Sequence, residues 1–279
     1  ETMTKEHRGY GTMIVVSLGV LGAVFANILG QFVTWQSSYI IGGVMGLVLL
    51  FLRIGVYESG MFKNLQEHSC KRGNLIMLFN NRKRFLTYLS SIAVGVPIWY
   101  MIGILVVFSP EIAKMNGISG VNGGDAIMYF YLATCLGDFL SAYWSQKLKS
   151  RKKILVLYLI IAICITPVYL YMMSHASVGV FYFICALLGF ASGYWAVFVT
   201  TASEQFGTNI RATVTTTVPN MVRGSLAILT FLLAFFRDSF GWNMIDSMFI
   251  VGVIAIAGAF LSLFGIKESY AKDLNYIES

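Results

Sequence analysis

Residues 132–153, LATCLGDFLSAYWSQKLKSRKK, form an apolar run that ends in a dense cluster of basic side chains. An apolar helix with such an end is typical of a membrane span that finishes in the cytoplasm. The apolar part holds one acid, Asp138. An acid at the centre of a span costs about 2.5–3.5 kcal/mol on insertion scales, so it usually faces a cavity or a partner. This stretch therefore indicates the orientation of the chain and its first candidate for chemistry.

The composition of the whole chain supports a membrane protein. Hydrophobic residues make up 57% of the 279 residues, charged residues make up 12%, and the mean hydropathy is +0.72. A soluble domain carries about 25% charged residues, so this composition excludes a soluble domain. The net charge of +7 does not indicate nucleic-acid binding. Its basic residues lie in short clusters between apolar runs, where they set topology or attract anionic lipid headgroups.

Eight apolar runs are long enough to cross a bilayer, which takes about 20 residues each. Lipid offers no partner to an open strand edge, so every span is expected to be helical. The sequence thus predicts an all-α integral membrane protein, a polytopic bundle of about eight spans. Residues 74–84, NLIMLFNNRKR, predict a basic amphipathic helix at the membrane surface, with an ordinary linker turn as the alternative. The predicted spans are residues 9–29, 37–56, 85–108, 124–146, 154–173, 178–201, 214–235 and 244–264.

The basic residues also predict which side of the bundle faces the cytoplasm. With a cytoplasmic N-terminus and alternating spans, seventeen Lys and Arg residues lie on the cytoplasmic side. Only two others, Lys114 and Arg237, lie outside, and Arg223 remains within a helix. This strong positive-inside bias, with the compact loops, predicts a multi-pass protein of a bacterial inner membrane. The basic loops and the C-terminus are then cytoplasmic.

Several segments carry short motifs in a recognisable order. Residues 203–213, SEQFGTNIRAT, combine an acid, an aromatic residue and R-A-T, and residues 35–62 begin with Trp and contain Gly-Gly and E-S. Residues 141–153 end in a basic loop, residues 265–278 read GIKESYAKDLNYIE, and R-G occupies residues 8–9. In this order and at this spacing, the set resembles the major facilitator superfamily. It is most similar to the branch of sugar and organic-acid carriers.

The resemblance implies that the eight spans correspond to family helices five to twelve, so the first four helices are expected to be absent. Residues 1–62 would be the last two helices of the N-terminal bundle, and residues 63–84 the cytoplasmic loop between bundles. Residues 85–279 would be the C-terminal six-helix bundle with a short tail. Four departures from the family pattern weaken an assignment to the sugar carriers more than to the superfamily. They are Gln36, Gly60, Gln146 and Gly207.

Asp138 is the first candidate for a site within the membrane. It lies about 13 Å inside the basic end of its span, at 1.5 Å per residue. Residues three, four and seven apart share a helix face, so Tyr131, Thr134 and Asp138 form a polar stripe. One hypothesis is that Asp138 binds a proton and lines a cavity. The alternative is a structural acid that pairs with a neighbouring helix or with the basic loop.

Arg223 is the second candidate. It lies twelve residues after Arg211, roughly 18 Å along a helix, and shares a face with Asn220. An arginine at membrane depth needs an anion, either a carboxylate of the protein or one on a substrate. The resemblance places this helix beside a central cavity, so Arg223 and Asn220 are expected to line it. A structural ion pair with Asp138 is the alternative.

Aromatic side chains on two further spans are candidates for cavity walls. Trp99 lies in the third predicted span and Tyr194 in the sixth. The resemblance makes these family helices seven and ten, which also line the cavity. Such rings stack on a sugar, while packing or anchoring at the interface is the alternative.

Charged residues at the cytoplasmic helix ends form a third group, consisting of Glu58, Glu204 and Arg211. The resemblance implies a gating network that latches the outward-facing state. A solvated loop is the alternative.

Together these features predict a secondary active transporter of a small organic solute, a sugar or an organic acid, that works by alternating access. Protons are expected to couple to the solute, because the sequence has no GxxxxGK[ST] nucleotide-binding motif. No catalytic residue, metal site or cofactor is predicted, since no His, Asp and Ser cluster within the membrane. The alternative is a non-transporting membrane sensor or a truncated inactive relative. The expected partners are the solute, protons and the lipid bilayer, with no nucleic acid.

Overall fold

The computed structural model describes residues 8–54, 73–272 and 276–278, and within these ranges the secondary structure is entirely helical. A π-helical segment, Met101–Val106, continues α3, and single 3-10 turns occupy Leu75–Leu78 and Leu263–Gly265. The α-helices are α1 Arg8–Phe32, α2 Trp35–Arg53, α3 Arg82–Tyr100, α4 Ser109–Met115, α5 Gly123–Lys147, α6 Arg151–Tyr171, α7 Val178–Ser192, α8 Trp195–Glu204, α9 Thr208–Phe240 and α10 Met244–Ser262.

The described residues contain eight helical stretches that are long and apolar enough to cross a membrane. They coincide with the eight predicted spans, so the all-α bundle of about eight spans is confirmed. Helices α7 and α8 together form one span, Val178–Glu204. The seventh span, Thr208–Phe240, starts six residues before the predicted one, because polar residues continue the helix beyond the apolar run. Its 33 residues reach about 50 Å, well past a hydrocarbon core of about 30 Å.

The prediction of an amphipathic surface helix at residues 74–84 is wrong. One 3-10 turn, Leu75–Leu78, replaces it, and α3 starts at Arg82. The side chain of Asn81 accepts hydrogen bonds from the backbone N–H groups of Lys83 and Arg84. Asparagine in this position caps a new helix rather than continuing an old one. The basic residues therefore belong to the first turn of a membrane span.

Close backbone packing joins α5 to α7 at three glycines. A Cβ atom on Gly193 would lie 2.5 Å from the Cα of Gly137, and one on Gly189 would collide with the backbone of Phe130. Residues 189–193 thus form a Gly-x-x-x-Gly pattern, which lets membrane helices approach closely. This packing brings the end of α7 against the middle of α5.

Helix α1 packs against α5 and α8, and α3 packs against α9 and α10. The middle of the bundle is consequently bounded by helices from distant parts of the chain. The assignment of residues 1–62, 63–84 and 85–279 to two bundles and a linking loop stays a prediction.

Candidate functional site

A cavity of about 470 Å³ lies in the membrane-spanning part of the bundle, among α1, α3, α5, α7, α8 and α9. Its size falls within the range of small-molecule sites. Most of the wall is apolar, and helix α1 contributes only small or aliphatic side chains from residues 15–23. The polar and aromatic residues of the wall are Trp99, Phe130, Tyr131, Thr134, Asp138, Ser192, Trp195 and Arg223.

The span formed by α7 and α8 is interrupted beside this cavity. Helix α7 ends at Ser192, the backbone of Gly193 and Tyr194 leaves the helical conformation, and α8 begins at Trp195. A helix start leaves backbone N–H groups without partners in the helix, and lipid offers none. Non-helical backbone at membrane depth is tolerated where it is buried in protein or lines a cavity.

Asp138 provides the missing partner. This side chain is fully buried, and its Oδ1 accepts a hydrogen bond of 3.0 Å from the backbone N–H of Ala196, in the first turn of α8. A carboxylate is also favoured at a helix N-terminus by the helix dipole. The second oxygen, Oδ2, is buried without a hydrogen-bond partner among the described residues. Asp138 therefore caps α8 with one oxygen, while its second oxygen has no hydrogen-bond partner among the described residues, in a side chain that belongs to the cavity lining.

Arg223 brings a positive charge to the cavity from α9. Its Nη1 donates to Oδ1 of Asn220 at 2.9 Å, and its guanidinium lies 5.5 Å from the ring centroid of Trp195. Within the described ranges Arg223 forms no ion pair, with Asp138 or any other acid. The ion pair between Asp138 and Arg223 that was considered from the sequence is thus absent.

The predicted site residues separate into those that reach the cavity and those that support it. Trp99 and Thr134 line the wall, although the Thr134 hydroxyl is held by the carbonyl of Gly189 at 3.0 Å. Asn220 is not in the wall and contacts Arg223 instead. Tyr194 is fully buried away from the wall, and its hydroxyl donates to the carbonyl of Val94 at 3.0 Å. Tyr194 therefore ties α8 to α3.

Sequence reasoning missed one wall of the cavity, which α1 supplies. Val15, Gly19 and Ala23 of α1 line the cavity at intervals of four residues. That spacing of small residues on a single helix face was the signal that could have identified them.

Comparison with known proteins identifies the fold family. The protein-family model described as Major Facilitator Superfamily matches residues 1–229 of the chain. The chain belongs to the major facilitator superfamily. The resemblance found in the sequence is thereby confirmed at this level, and the sugar and organic-acid branch stays a prediction.

One curated relative is a protein of Cupriavidus pinatubonensis (strain JMP 134 / LMG 1197), named a probable 4-methylmuconolactone transporter. It is 25% identical to this chain over 230 residues. The alignment covers 76% of this chain and 51% of the relative. The chain thus spans about half the length of the relative it matches.

A second polar cluster lies at the end of the bundle that carries the basic run of residues 147–153, called the basic end below. Glu204 and Arg151 are both buried, and Oε2 of Glu204 lies 3.5 Å from Nε of Arg151. Ser269 donates to the same carboxylate oxygen at 2.8 Å, and Arg151 donates to Oγ of Ser145 at 3.0 Å. The cluster joins the connection between α5 and α6, the end of α8 and the tail, which consists of the residues after α10. Sequence reasoning missed Arg151, although the basic run contains it.

The predicted gating residues are only partly described. Glu58 lies outside the described residues. Arg211 is buried and donates from Nη2 to Oγ1 of Thr208 at 3.2 Å and to the carbonyl of Phe206 at 3.4 Å. The gating role of Glu58, Glu204 and Arg211 stays a prediction.

Glu268, in the tail that follows α10, caps the start of α6. Its carboxylate accepts hydrogen bonds from the Ser150 hydroxyl and from the backbone N–H groups of Arg151 and Lys152. Partial burial raises the pKa of Glu268, but these bonds and one from the N–H of Tyr270 outweigh it, so the pKa lies below its usual value. The ionised carboxylate is thus stabilised in the folded protein.

Acidification is expected to destabilise the protein through Glu268. A carboxyl with a depressed folded pKa contributes stability above its unfolded pKa of about 4.3, and that contribution is lost as pH falls through the folded value. Thermal unfolding between pH 6 and pH 3 should therefore depend less on pH in Glu268→Gln than in the wild type. Glu111→Gln, which removes an exposed carboxylate of α4, is the matched control and should keep the wild-type slope. Parallel curves for the wild type and Glu268→Gln would contradict this account.

Proposed function

We propose that this protein is a secondary transporter of a small organic anion that carries a carboxylate, and that it works by alternating access. The observation that supports the proposal most is Arg223, a cation without an ion-pair partner in the described residues, on the wall of an aromatic cavity. A charged side chain at membrane depth is costly and generally marks a substrate or ion pathway. A solute carboxylate would supply the missing anion with a bidentate pair.

The rest of the wall defines the class of solute. Trp99, Tyr131 and Trp195 present aromatic surfaces near the cation, and the α1 side is small and aliphatic. Such a wall suits a compact, partly planar organic body better than a highly hydroxylated one, because few polar groups are available to bond hydroxyls. The relative's printed name, a muconolactone transporter, agrees with a small organic solute. We therefore favour an organic acid over a neutral sugar.

Uptake by the full chain in proteoliposomes tests this function. Benzoate, phenylacetate and 4-methylmuconolactone are suitable probes, with glucose and benzyl alcohol as neutral comparisons. Uptake of at least one carboxylate above protein-free vesicles, without uptake of the neutral compounds, is the expected result. Uptake of neutral compounds alone would contradict the anion assignment. No uptake from the whole panel would favour the non-transporting sensor.

We also propose that solute movement is coupled to protons through Asp138. Asp138 is a lining residue of the cavity, and its Oδ2, which has no hydrogen-bond partner among the described residues, is able to take a proton while Oδ1 keeps its bond to α8. Ionisable residues within spans commonly form proton relays. The charge bias of the loops supports a bacterial inner membrane with the basic end in the cytoplasm.

Asp138→Asn is expected to remove proton coupling and to keep solute exchange. Asparagine retains an oxygen that accepts from Ala196, so the cap of α8 is preserved, but it takes up no proton. Proteoliposomes with an internal pH dye should show at least about 100-fold less solute-driven proton movement, the lower end of the effects assigned to positioned acid–base groups. Asp125→Asn, in the first turn of the same helix, is the control and should behave as the wild type. Unchanged coupling in Asp138→Asn would exclude the residue from the mechanism.

A further inference from the structure

A second cavity, of about 740 Å³, lies at the basic end of the bundle and shares no lining residue with the central one. It is bounded by the first turns of α3, the connection between α8 and α9, and the residues that follow α10. Two membrane-spanning stretches meet there, because one starts at Arg82 and the other ends at Gly265. The cavity thus lies at the level where a bilayer changes from acyl chains to headgroups.

The charge of this cavity is strongly positive. Five basic side chains line it, against one acid among the described lining residues. That acid, Glu278, forms an ion pair of 3.2 Å with Arg84 and also accepts from the backbone N–H of Gly207. The three lining residues with exposed side chains and no ion pair in the described part of the chain are Arg82, Lys83 and Lys267. The positive charge is therefore not neutralised by the part of the protein that the structure describes.

The mouth of the cavity is apolar on one side. Leu86 is 50% exposed and Phe264 is 87% exposed, and both line the cavity next to the basic residues. In a membrane span, exposed side chains of this kind face acyl chains. A ligand that contacts both the basic side and the apolar side of this cavity has an anionic headgroup and a hydrocarbon chain. A free phosphate would contact the basic side alone.

We propose that this cavity binds the headgroup of an anionic phospholipid, with the phosphate between Lys83 and Lys267 and the acyl chains along Leu86 and Phe264. Basic pockets between spans bind such headgroups in membrane proteins. Each basic residue near the surface strengthens attraction to anionic lipid by about fivefold in the equilibrium constant. The site is separate from the transport cavity, so it holds whether or not the proposed solute is correct.

Lipid competition measured by native mass spectrometry tests the site. The full chain is purified in detergent and equilibrated with an equimolar mixture of phosphatidylglycerol and phosphatidylcholine of the same chain length. The wild type is expected to retain phosphatidylglycerol preferentially. Lys83→Gln with Lys267→Gln should lower that preference by roughly 30-fold, and each single variant by about fivefold. All four side chains altered in the two double variants are exposed, so both should fold.

The matched control removes the same charge elsewhere at the basic end. Lys147 and Lys153 lie outside the cavity. The double variant Lys147→Gln with Lys153→Gln should therefore keep the wild-type preference for phosphatidylglycerol. Equal losses in the two double variants would mean diffuse surface attraction and would overturn the site, as would an unchanged preference in Lys83→Gln with Lys267→Gln. A third arm adds glycerol 3-phosphate. Displacement of the lipid at equal concentration would show that the acyl chains contribute nothing and would overturn the lipid assignment.

Discussion

Replacing Arg223 with glutamine is expected to reduce carboxylate uptake by at least about tenfold while leaving the protein folded. A hydrogen bond between charged groups contributes about 1.5–3 kcal/mol, and 1.4 kcal/mol is a factor of ten. In the proposed complex the guanidinium is the partner of the solute carboxylate. Its contacts within the described protein are the amide of Asn220 and the ring of Trp195. Losing those two contacts costs little stability, so folding and uptake should separate.

A lysine at the same position separates charge from geometry. Arg223→Lys keeps the positive charge but loses the planar fork that binds a carboxylate through two bonds, and it stacks less well on Trp195. Uptake between the wild-type and glutamine values is therefore expected. Arg237→Gln, in the last turn of the same helix, is the matched control and should transport normally.

The measurement is initial uptake of the best carboxylate from the probe panel, together with the unfolding temperature of each variant. Equal unfolding temperatures with reduced uptake support direct contact between Arg223 and the solute. Uptake by Arg223→Gln within twofold of the wild type would exclude that contact. A glutamine variant that unfolds early would instead assign Arg223 a structural role.

The spans were predictable because their signal is local. A run of about 20 apolar residues is a membrane helix wherever it occurs, and none of the eight needed knowledge of its neighbours. The ends were harder, since helix α9 extends through polar residues on both sides of its apolar run. At residues 74–84 the basic and apolar pattern suggested one helix, but the cap formed by Asn81 starts another. A single capping side chain decided between the two.

The interruption between α7 and α8 was not predictable from local sequence. No proline marks it, and the residue that accommodates it, Asp138, lies 58 residues from the N–H group that it accepts from. Because the break shifts the helix faces, counting residues by helical periodicity fails across it. This explains why Trp195 reaches the cavity and its neighbour Tyr194 does not. The cap and the close glycine packing are products of tertiary structure.

Glu204→Gln is expected to lower the stability of the protein by about 3–5 kcal/mol. Removing one partner of a buried ion pair leaves the other charge buried and uncompensated. Both side chains of the pair with Arg151 are only 1% exposed, so water cannot replace the lost partner. At 2–4 °C per kcal/mol, the unfolding temperature should fall by roughly 10 °C. Glu111→Gln, an exposed carboxylate, should leave it unchanged.

Replacing both partners separates the cost of a lone charge from the value of the pair. In Arg151→Met with Glu204→Leu no charge is left uncompensated, and apolar replacements of buried ion pairs are often neutral or stabilising. The double variant should therefore be more stable than Glu204→Gln alone, although it removes more hydrogen bonds. If it is less stable, the ion pair and its contacts to Ser145 and Ser269 themselves stabilise this end of the bundle. Solute uptake by a stable double variant then tests gating, because a latch is required for transport and a structural pair is not.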